Sequence, residues 1–318
     1  MKYKIAIIIL LSLVKVGLSQ NNWNIIKTSI KEDLHNIAFI NDSIGFIFSY
    51  GTGNIYRTTD YGNKWSIVKQ TDSIYLEEIQ FINQKTGWIC GENGKIFKTQ
   101  DCGNTWYDLS ILTNDGNLLL CDICFIDDSI GYVSGCIWKK QTMKPIFYKT
   151  NDGGLSWTEI FTNIPQMILN LGKTGNNLWG TGDGFILRIN NDKEKWEYVF
   201  KDTLGIIGKI IDIKFADNKF GMGISFNGKI LITFNGGESW ITKGITTNRL
   251  RSIAYLGAKK WIVVGDNNNN DGSVLYNTID NGENWEKIND FPDIHQVTLS
   301  ENYIWIVGKK GLIAERKK

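Results

Sequence analysis

The chain has 318 residues, a formal net charge of +2 at pH 7 and five cysteines. This length allows one or two ordinary domains, although a closed array of repeats of this size commonly folds as one. A charge so near neutrality disfavours nucleic acid as a partner, because nucleic-acid binders usually carry a basic surplus that displaces phosphate counterions.

The start of the chain has the pattern of a secretory signal peptide. A short basic region at 1–4 precedes an apolar run at 5–14, and small residues follow up to Ser19. We predict a signal peptide at 1–19 and a mature protein at 20–318, either periplasmic or extracellular. Since the leader holds three lysines and no acid, the formal charge of +2 becomes −1 in the mature chain. A membrane span needs about 20 apolar residues, so a permanent transmembrane helix is the competing interpretation, and no cysteine follows the run to carry a lipid anchor.

A phrase of eight residues, Thr-x-Asp-x-Gly-x-x-Trp, recurs along the rest of the chain. It stands at 58–65, 99–106, 150–157, 233–240 and 278–285, with a weaker copy at 191–196 that lacks the glycine. The Asp or Asn, the Gly and the Trp of the clear copies are Asp60, Gly62, Trp65, Asp101, Gly103, Trp106, Asp152, Gly154, Trp157, Asn235, Gly237, Trp240, Asp280, Gly282 and Trp285. Self-similarity at a spacing of 39 to 51 residues is typical of propellers and solenoids.

Each repeat predicts four short strands joined by hairpin turns. In the second repeat, one strand holds Ile79 and Phe81, and two more cover 88–91 and 96–99. The repeated phrase then forms the turn into a fourth strand that begins at Trp106. Four strands in a unit of this length are the pattern of a propeller blade in an all-β protein.

Six repeats are complete, and the two chain ends supply a seventh. Three strands are predicted at 295–299, 305–308 and 312–315, without a Trp-led fourth strand. The mature N-terminus supplies the missing strand, because 22–27 matches 64–69 of the first repeat. Closing the ring in this way removes exposed strand edges, so we predict a single domain that is a seven-bladed β-propeller.

The chemistry of the repeated phrase indicates a structural role. An Asp or Asn oxygen accepts hydrogen bonds from backbone N–H groups two residues further on, Gly supplies positive φ, and the Thr hydroxyl braces the turn. The Trp begins the outer strand and buries its ring against the neighbouring blade. We therefore expect these Asp residues to stabilise turns, with no part in catalysis or calcium binding.

The cysteines do not form a recognisable metal site. They are Cys90, Cys102, Cys121, Cys124 and Cys136. Cys121 and Cys124 have the spacing of half a zinc site, but such residues point to opposite faces of a strand, and no second pair or nearby His completes four ligands. We predict buried thiols and no metal or cofactor. An odd number leaves a free thiol or a bond between chains, and one local disulfide stays open as an alternative.

The repeated phrase resembles the Asp-box, or BNR repeat, of sialidases, sortilin-type receptors and photosystem II assembly factors. The longer unit at 250–285, with its Trp261-Ile-Val-Val-Gly265 strand, is most similar to that of the photosystem II assembly and stability factor family. The resemblance covers 21–316 and implies a single seven-bladed propeller behind a signal or targeting peptide. It is stronger evidence for fold than for function, since propellers host unrelated activities.

The resemblance also implies that the Asp-boxes lie on one face and that ligand sites lie on the other. Two loops expected on this second face are enlarged: 136–145, which we call the prong, and 266–272. The prong carries Trp138, Lys139, Lys140, Met143 and Lys144. Exposed Trp and Met are unusual in loops, so the prong is a candidate partner-binding loop, and a simple solvated hairpin is the alternative.

Aligning the repeats places four ionisable residues at one position near the start of the innermost strands. These are His35, Glu77, Arg251 and His295, and a closed ring brings them together at one mouth of the central channel. Such a set suits a small anionic ligand or an acidic segment of a partner, with ordinary polar lining as the alternative.

We predict a non-catalytic monomeric scaffold that binds a protein partner. The alternative is a carbohydrate-active Asp-box protein, either a degenerate glycoside hydrolase or a glycan binder. A sialidase, by resemblance, needs an arginine triad, yet Arg57 and Arg188 among the five arginines occupy ordinary repeat positions. The xyloglucan-cleaving glycosidases pair two propellers across a cleft with opposed carboxylates, and this chain has the repeats of one propeller.

Overall fold

The computed structural model contains seven four-stranded antiparallel sheets, or blades. It describes residues 23–160, 164–175, 177–190, 195–267 and 272–318. The predicted signal peptide lies outside these residues, as do 191–194 of the weak phrase and 268–271 of the enlarged sixth-repeat loop. Within the described ranges, no helix is long and apolar enough to cross a membrane.

The strands follow the repeats in chain order after β1 (Asn24–Ile25). The first blade contains β2 (Leu34–Phe39), β3 (Gly45–Ser49), β4 (Asn54–Thr58) and β5 (Ser66–Gln70), and the second contains β6 (Leu76–Phe81), β7 (Gly87–Gly91), β8 (Ile96–Thr99) and β9 (Tyr107–Asp108). The third contains β10 (Asn117–Phe125), β11 (Gly131–Lys139), β12 (Thr142–Thr150) and β13 (Thr158–Glu159), and the fourth contains β14 (Asn170–Thr174), β15 (Asn177–Gly182), β16 (Phe185–Asn190) and β17 (Lys195–Lys201). The fifth contains β18 (Ile210–Phe215), β19 (Gly221–Ser225), β20 (Lys229–Thr233) and β21 (Ile241–Gly244), and the sixth contains β22 (Leu250–Gly257), β23 (Lys260–Asp266), β24 (Ser273–Thr278) and β25 (Glu286–Phe291). The seventh contains β26 (Ile294–Leu299), β27 (Tyr303–Gly308), a short 3₁₀ turn (Lys309–Gly311) and β28 (Ile313–Lys317).

The blades form a closed ring. The first strand of each blade contacts the first strands of both neighbouring blades, and this series runs from β2 round to β26 and back to β2. The N-terminal strand β1 pairs antiparallel with β28, where Asn24 lies opposite Glu315 and Ile25 opposite Ala314. The first strand of the chain therefore completes the last blade, and the prediction of an all-β seven-bladed propeller is confirmed.

The hydrophobic core lies between the blades. The described residues form seven buried clusters, each built from two neighbouring blades. At one interface, Trp88 of the second blade stacks on Phe125 of the third, with ring centroids 3.6 Å apart. The second strand of a blade is buried along its whole length in β3, β7 and β19, because neighbouring blades cover both of its faces.

The Asp-box turns share one hydrogen-bond pattern. In the first copy, Thr58 Oγ1 donates to Asp60 Oδ1 at 2.9 Å and accepts the Gly62 N–H at 3.0 Å, while Asp60 Oδ1 also accepts the Lys64 N–H at 2.9 Å. The same bonds recur in the other four clear copies. In the first copy the Asp60 carboxylate thus accepts the N–H four positions on rather than two, because the N–H two positions on, that of Gly62, already donates to the Thr58 hydroxyl.

These bonds hold the Asp-box carboxylates in their ionised form. Hydrogen bonds from the side chain and backbone of Ser156 lower the pKa of Asp152 to about 2. An ionised carboxylate is the stronger acceptor, so at neutral pH the turn keeps its hydrogen bonds at full strength. This geometry supports the predicted structural role of the phrase.

The Asp-box glycine is required for two reasons. Gly237 has φ +85°, and a Cβ there would lie 2.1 Å from the Trp179 ring of the preceding blade. Gly62 likewise has φ +78°, and a Cβ would lie 2.6 Å from the Trp305 ring. Only glycine allows both the turn conformation and the close approach to the aromatic ring.

We expect Gly237→Ala to lower the free energy of unfolding by about 3 kcal/mol or more, because strain and a clash with Trp179 act together. Gly257 is a matched control, since it has φ +88° but no atom within 4 Å of the added Cβ. Gly257→Ala should cost only about 1 kcal/mol. Denaturant unfolding of both variants measures the difference, and equal costs would contradict a role for the contact with Trp179.

Candidate functional site

A β-bulge positions the predicted mouth residues. In six of the seven blades the pairing of the first and second strands shifts by one residue at the same repeat position. The extra residues are His35, Glu77, Cys121, Ile211, Arg251 and His295. A bulge leaves its extra residue outside the ladder and redirects the side chain, so these residues turn towards the end of the channel.

The four ionisable mouth residues line one cavity of about 190 Å³. His35 Nε2 lies 3.5 Å from Glu77 Oε2 of the next blade. The rings of His35 and His295 have centroids 6.2 Å apart. The alignment of the repeats therefore predicted correctly that these side chains lie together, while the role of the site stays a prediction.

The other two mouth residues have partners outside this set of four. The guanidinium of Arg251 donates to Asp266 Oδ1 at the end of β23. His295 Nδ1 lies 2.8 Å from the carbonyl oxygen of Leu34, and because a carbonyl only accepts, Nδ1 carries the proton. Burial lowers the pKa of His295 below its usual 6.5, so the imidazole is neutral at pH 7.

A second ring of polar residues lies directly below the mouth. Each blade contributes one residue from its first strand to this ring: Asn36, Glu78, Asp122, Asn170, Asp212, Ser252 and Gln296. Most of these side chains bond to the backbone of the following blade. Asp122 Oδ2 accepts the Leu171 N–H at 2.8 Å, and Asp212 Oδ2 accepts the Ile253 N–H at 3.2 Å. The ring therefore joins the blades as well as lining the channel.

The charges of this ring are unbalanced. Three carboxyl groups, Glu78, Asp122 and Asp212, face a single ammonium, that of Lys214, whose Nζ lies 2.9 Å from Asp212 Oδ1. Burial raises the pKa of Glu78 and raises that of Asp122 well above its usual value, and Lys214 offsets only part of this effect. Burial also acts to lower the pKa of Lys214, but attraction to Asp212 and Glu78 raises it overall. Lys214 is 49% exposed because it lines the open channel.

The acidic ring is not among the residues predicted from the sequence. The predicted mouth residues stand at the bulge position, whereas the acidic residues lie one residue further along β6, β10 and β18. A signal was present in the sequence, because that next position is polar in all seven blades. With the ring included, the mouth opens onto an acidic channel, which suits a basic group better than the anionic ligand that His35, Arg251 and His295 indicate.

The prong is a regular extension of the third blade. Its strands β11 and β12 pair throughout, and Trp138 lies opposite Met143 near the tip. Trp138 is 47% and Met143 40% exposed. Lys144 Nζ lies 2.8 Å from Glu159 Oε1 of the outer strand. The predicted partner loop is therefore held by backbone pairing, with the side chains of 138–144 exposed, while Cys136 and Ile137 at its base are buried.

The described residues contain no disulfide and no group of three His, Cys, Asp or Glu side chains placed to hold a metal ion. All five cysteines are free thiols, and burial raises the pKa of Cys90, Cys121 and Cys124. Thiols held in their neutral form are poor nucleophiles.

A larger cavity of about 680 Å³ lies where the chain ends meet. Ile26, Leu312 and Lys309 are among the residues that line it. It is also lined by ionisable residues, namely Lys27, Lys31, Asp293, Lys309 and Lys310, and the Lys309 ammonium is paired with Asp293 at 2.6 Å.

Comparison with known proteins assigns the family. The family described as Photosynthesis system II assembly factor YCF48 matches residues 16–106, 61–211 and 206–294, which together cover most of the chain. The chain belongs to this family. The expected relationship to photosystem II assembly factors is thus confirmed.

One curated relative of this YCF48-family chain is the Photosystem II assembly lipoprotein Ycf48 of Synechococcus sp. (strain CC9902). It is 28% identical over 175 residues, which are 52% of this chain and 49% of the relative. The matched part of this chain therefore spans about half the length of that protein.

Two solved structures are similar over nearly their whole length. One is described as YCF48 bound to D1 peptide, with a TM-score of 0.73, 18% identity, and coverage of 94% of this chain and 97% of the other. The second is YCF48 from Cyanidioschyzon merolae, with a TM-score of 0.69, 15% identity, and coverage of 93% and 98%. At these identities the likeness shows that the YCF48-family chain shares their fold.

The raised pKa of Glu78 predicts how stability depends on pH. The folded protein holds this pKa above the usual 4.5, so the stability that the protonated group contributes is lost as pH rises through its folded value. Glu78→Gln removes this loss and also relieves Asp122 of a neighbouring charge. We therefore expect the melting temperature of Glu78→Gln minus that of wild type to be larger at about pH 8 than at about pH 5.

Thermal unfolding at several pH values measures this difference. Glu286→Gln is the matched control, because Glu286 is exposed on the outer strand β25. A difference between Glu78→Gln and wild type that stays constant with pH would contradict a destabilising charge at Glu78.

Proposed function

We propose that the mature chain is an exported, non-catalytic propeller that binds a protein partner over the channel mouth. One observation carries the proposal: four ionisable side chains from different blades converge on one cavity above an acidic channel. Membership of an assembly-factor family supports a scaffold role, and a solved YCF48 with a bound D1 peptide supports a protein ligand.

The partner segment presents a basic side chain to the mouth. The carboxyl groups of Glu77, Glu78, Asp122 and Asp212 outnumber the Lys214 ammonium, while Arg251 is already occupied by Asp266. Burial raises the pKa values of Glu78 and Asp122, and an entering cation favours their ionised forms. Neutral His295 adds no charge at pH 7. A lysine or arginine entering here gains from this acidic field, which also speeds association at low salt.

The buried carboxyls support binding rather than hydrolysis. Asp122 accepts backbone N–H groups from Ile123 and Leu171, and Glu78 accepts that of Ile79. A sugar would have to displace these bonds to use either carboxyl as acid or nucleophile. Export is proposed from the leader pattern at 1–19, and the lipoprotein description of the Synechococcus relative supports it.

The test is a comparative pull-down from the native envelope with chain 20–318, which contains every described strand. We expect the double variant His35→Ala/Glu77→Ala to lose the partner, because it removes two adjacent walls of the cavity, one of them acidic. Glu77→Gln should weaken binding by about five-fold or more, since it removes a negative charge facing the basic group. The control is Tyr61→Ser/Leu155→Ser, two exposed residues on the Asp-box face.

An unchanged partner in all variants would contradict a site at the mouth. Loss with Arg251→Ala alone but not with Glu77→Gln would instead support an acidic segment. Circular dichroism and thermal unfolding of each variant distinguish lost binding from lost folding.

A further inference from the structure

The prong stands above the rest of its face. In the second blade β7 ends at Gly91, and the equivalent Gly135 of the third blade is followed by four more paired residues up to Lys139. At ~3.3 Å per residue, the prong extends about 13 Å beyond the neighbouring loops. When a flat surface approaches this face, the tip of the prong therefore touches it before the neighbouring second blade does.

The tip combines apolar and basic side chains. Trp138 is the exposed tryptophan of the described chain, and Met143 lies beside it on the same face of the hairpin. The prong has three lysines and no acidic residue, on a mature chain whose formal charge is −1. Within the described residues, Lys139 and Lys140 form no ion pair, so both ammonium groups are free at the tip.

A second apolar side chain lies near the base of the prong. Leu112 is 89% exposed in the loop that leads into the third blade. Gly116 of the same loop packs so closely that a Cβ would lie 2.3 Å from the Trp138 carbonyl oxygen. The contact holds this loop against the prong and adds to the apolar surface on this side of the ring.

The prong is poorly suited to adding a strand from a partner protein. Among the described residues, which omit 161–163, no strand pairs with the outer edge of the prong at 142–146. Strand β13 pairs with Tyr148 and Lys149, and the Ile160 N–H donates to the Phe147 carbonyl oxygen. Pro145 lies on this free edge and has no N–H to donate, and Lys144 adds a charge. Proline and lysine are the usual means by which proteins block pairing at an exposed edge.

The composition of the tip favours a lipid surface over a protein. Lysine is depleted in protein interfaces, where arginine is enriched. Tryptophan and lysine together are typical of membrane interfaces, since the indole ring sits at headgroup level and each ammonium is attracted to anionic lipids. A narrow, projecting tip also inserts between lipid headgroups more readily than it buries the area of a stable protein interface.

We propose that the prong docks the propeller onto an anionic lipid bilayer, with Trp138 and Met143 inserted among the headgroups and Lys139 and Lys140 contacting lipid phosphates. This orients the face that carries the channel mouth towards the membrane. Lipid binding by the prong does not require the residues of the channel mouth.

The test is co-sedimentation of chain 20–318 with vesicles, which removes the apolar leader as a source of lipid binding. We expect binding to phosphatidylcholine–phosphatidylglycerol vesicles that weakens with salt, and much weaker binding to phosphatidylcholine alone. Lys139→Gln/Lys140→Gln should reduce partitioning roughly 20-fold, and Trp138→Ser/Met143→Ser about 10-fold or more. The matched controls are Lys85→Gln/Lys219→Gln and Ile279→Ser, which change exposed residues of the Asp-box face and should bind like wild type.

Brominated lipids provide a second measurement. They should quench tryptophan emission of the wild type, whereas Trp138→Leu should still bind vesicles but show much less quenching. Wild type that does not bind anionic vesicles, or prong variants that bind as well as the controls, would overturn the proposal. If the wild type does not bind vesicles and the prong variants lose a protein partner in the pull-down, the prong is a protein-recognition element instead. If the prong variants lose vesicle binding but keep the protein partner, lipid docking is separate from binding at the mouth.

Discussion

The ring depends on how closely an Asp-box turn of one blade approaches the aromatic residue of the blade before it. Gly62 and Gly237 touch the rings of Trp305 and Trp179 at distances that no other residue allows. The Thr and Asp of the same phrase hold the turn that presents the glycine. The same few residues must therefore form the turn and allow the close packing between blades. This double constraint explains why the phrase recurs almost unchanged.

On the opposite face the sequence varies more from blade to blade, and this variation places different ionisable residues at the channel mouth. In six of the seven blades the bulge of the first strand directs one residue to the mouth, while the next residue turns into the channel, as Asp122 does, and bonds to the adjacent blade. Glu78 and Asp122 thus have two roles that conflict energetically. Asp122 joins blades by accepting the Leu171 N–H, and Glu78 does so by accepting from the Asn36 side chain. Yet burial raises the pKa values of both carboxyls, and they line an acidic channel whose charge a basic partner can neutralise.

Repetition explains what could be predicted from the sequence. Residues at the same position in each repeat occupy equivalent positions around the ring. Aligning the repeats therefore gives the number of blades, the closure by Trp23 and the following strand, and the grouping of His35 with Glu77. The charge of the channel was missed because it depends on an extra residue in the bulge, and alternation along a regular strand does not reveal it. The ion pair of Arg251 with Asp266 was also missed, because it joins a repeated position to a loop found in one blade alone.

Because the two ends of the described chain share the last blade, the propeller becomes native late in synthesis. Asn24 pairs with Glu315, so the ring cannot close until residues at nearly opposite ends of the sequence have both emerged. Each earlier blade can form from contiguous chain, but the interface between the seventh and first blades waits until β28 has been synthesised. Until then two sheet edges stay open, and a newly made chain is more exposed to mispairing and proteases than the finished propeller.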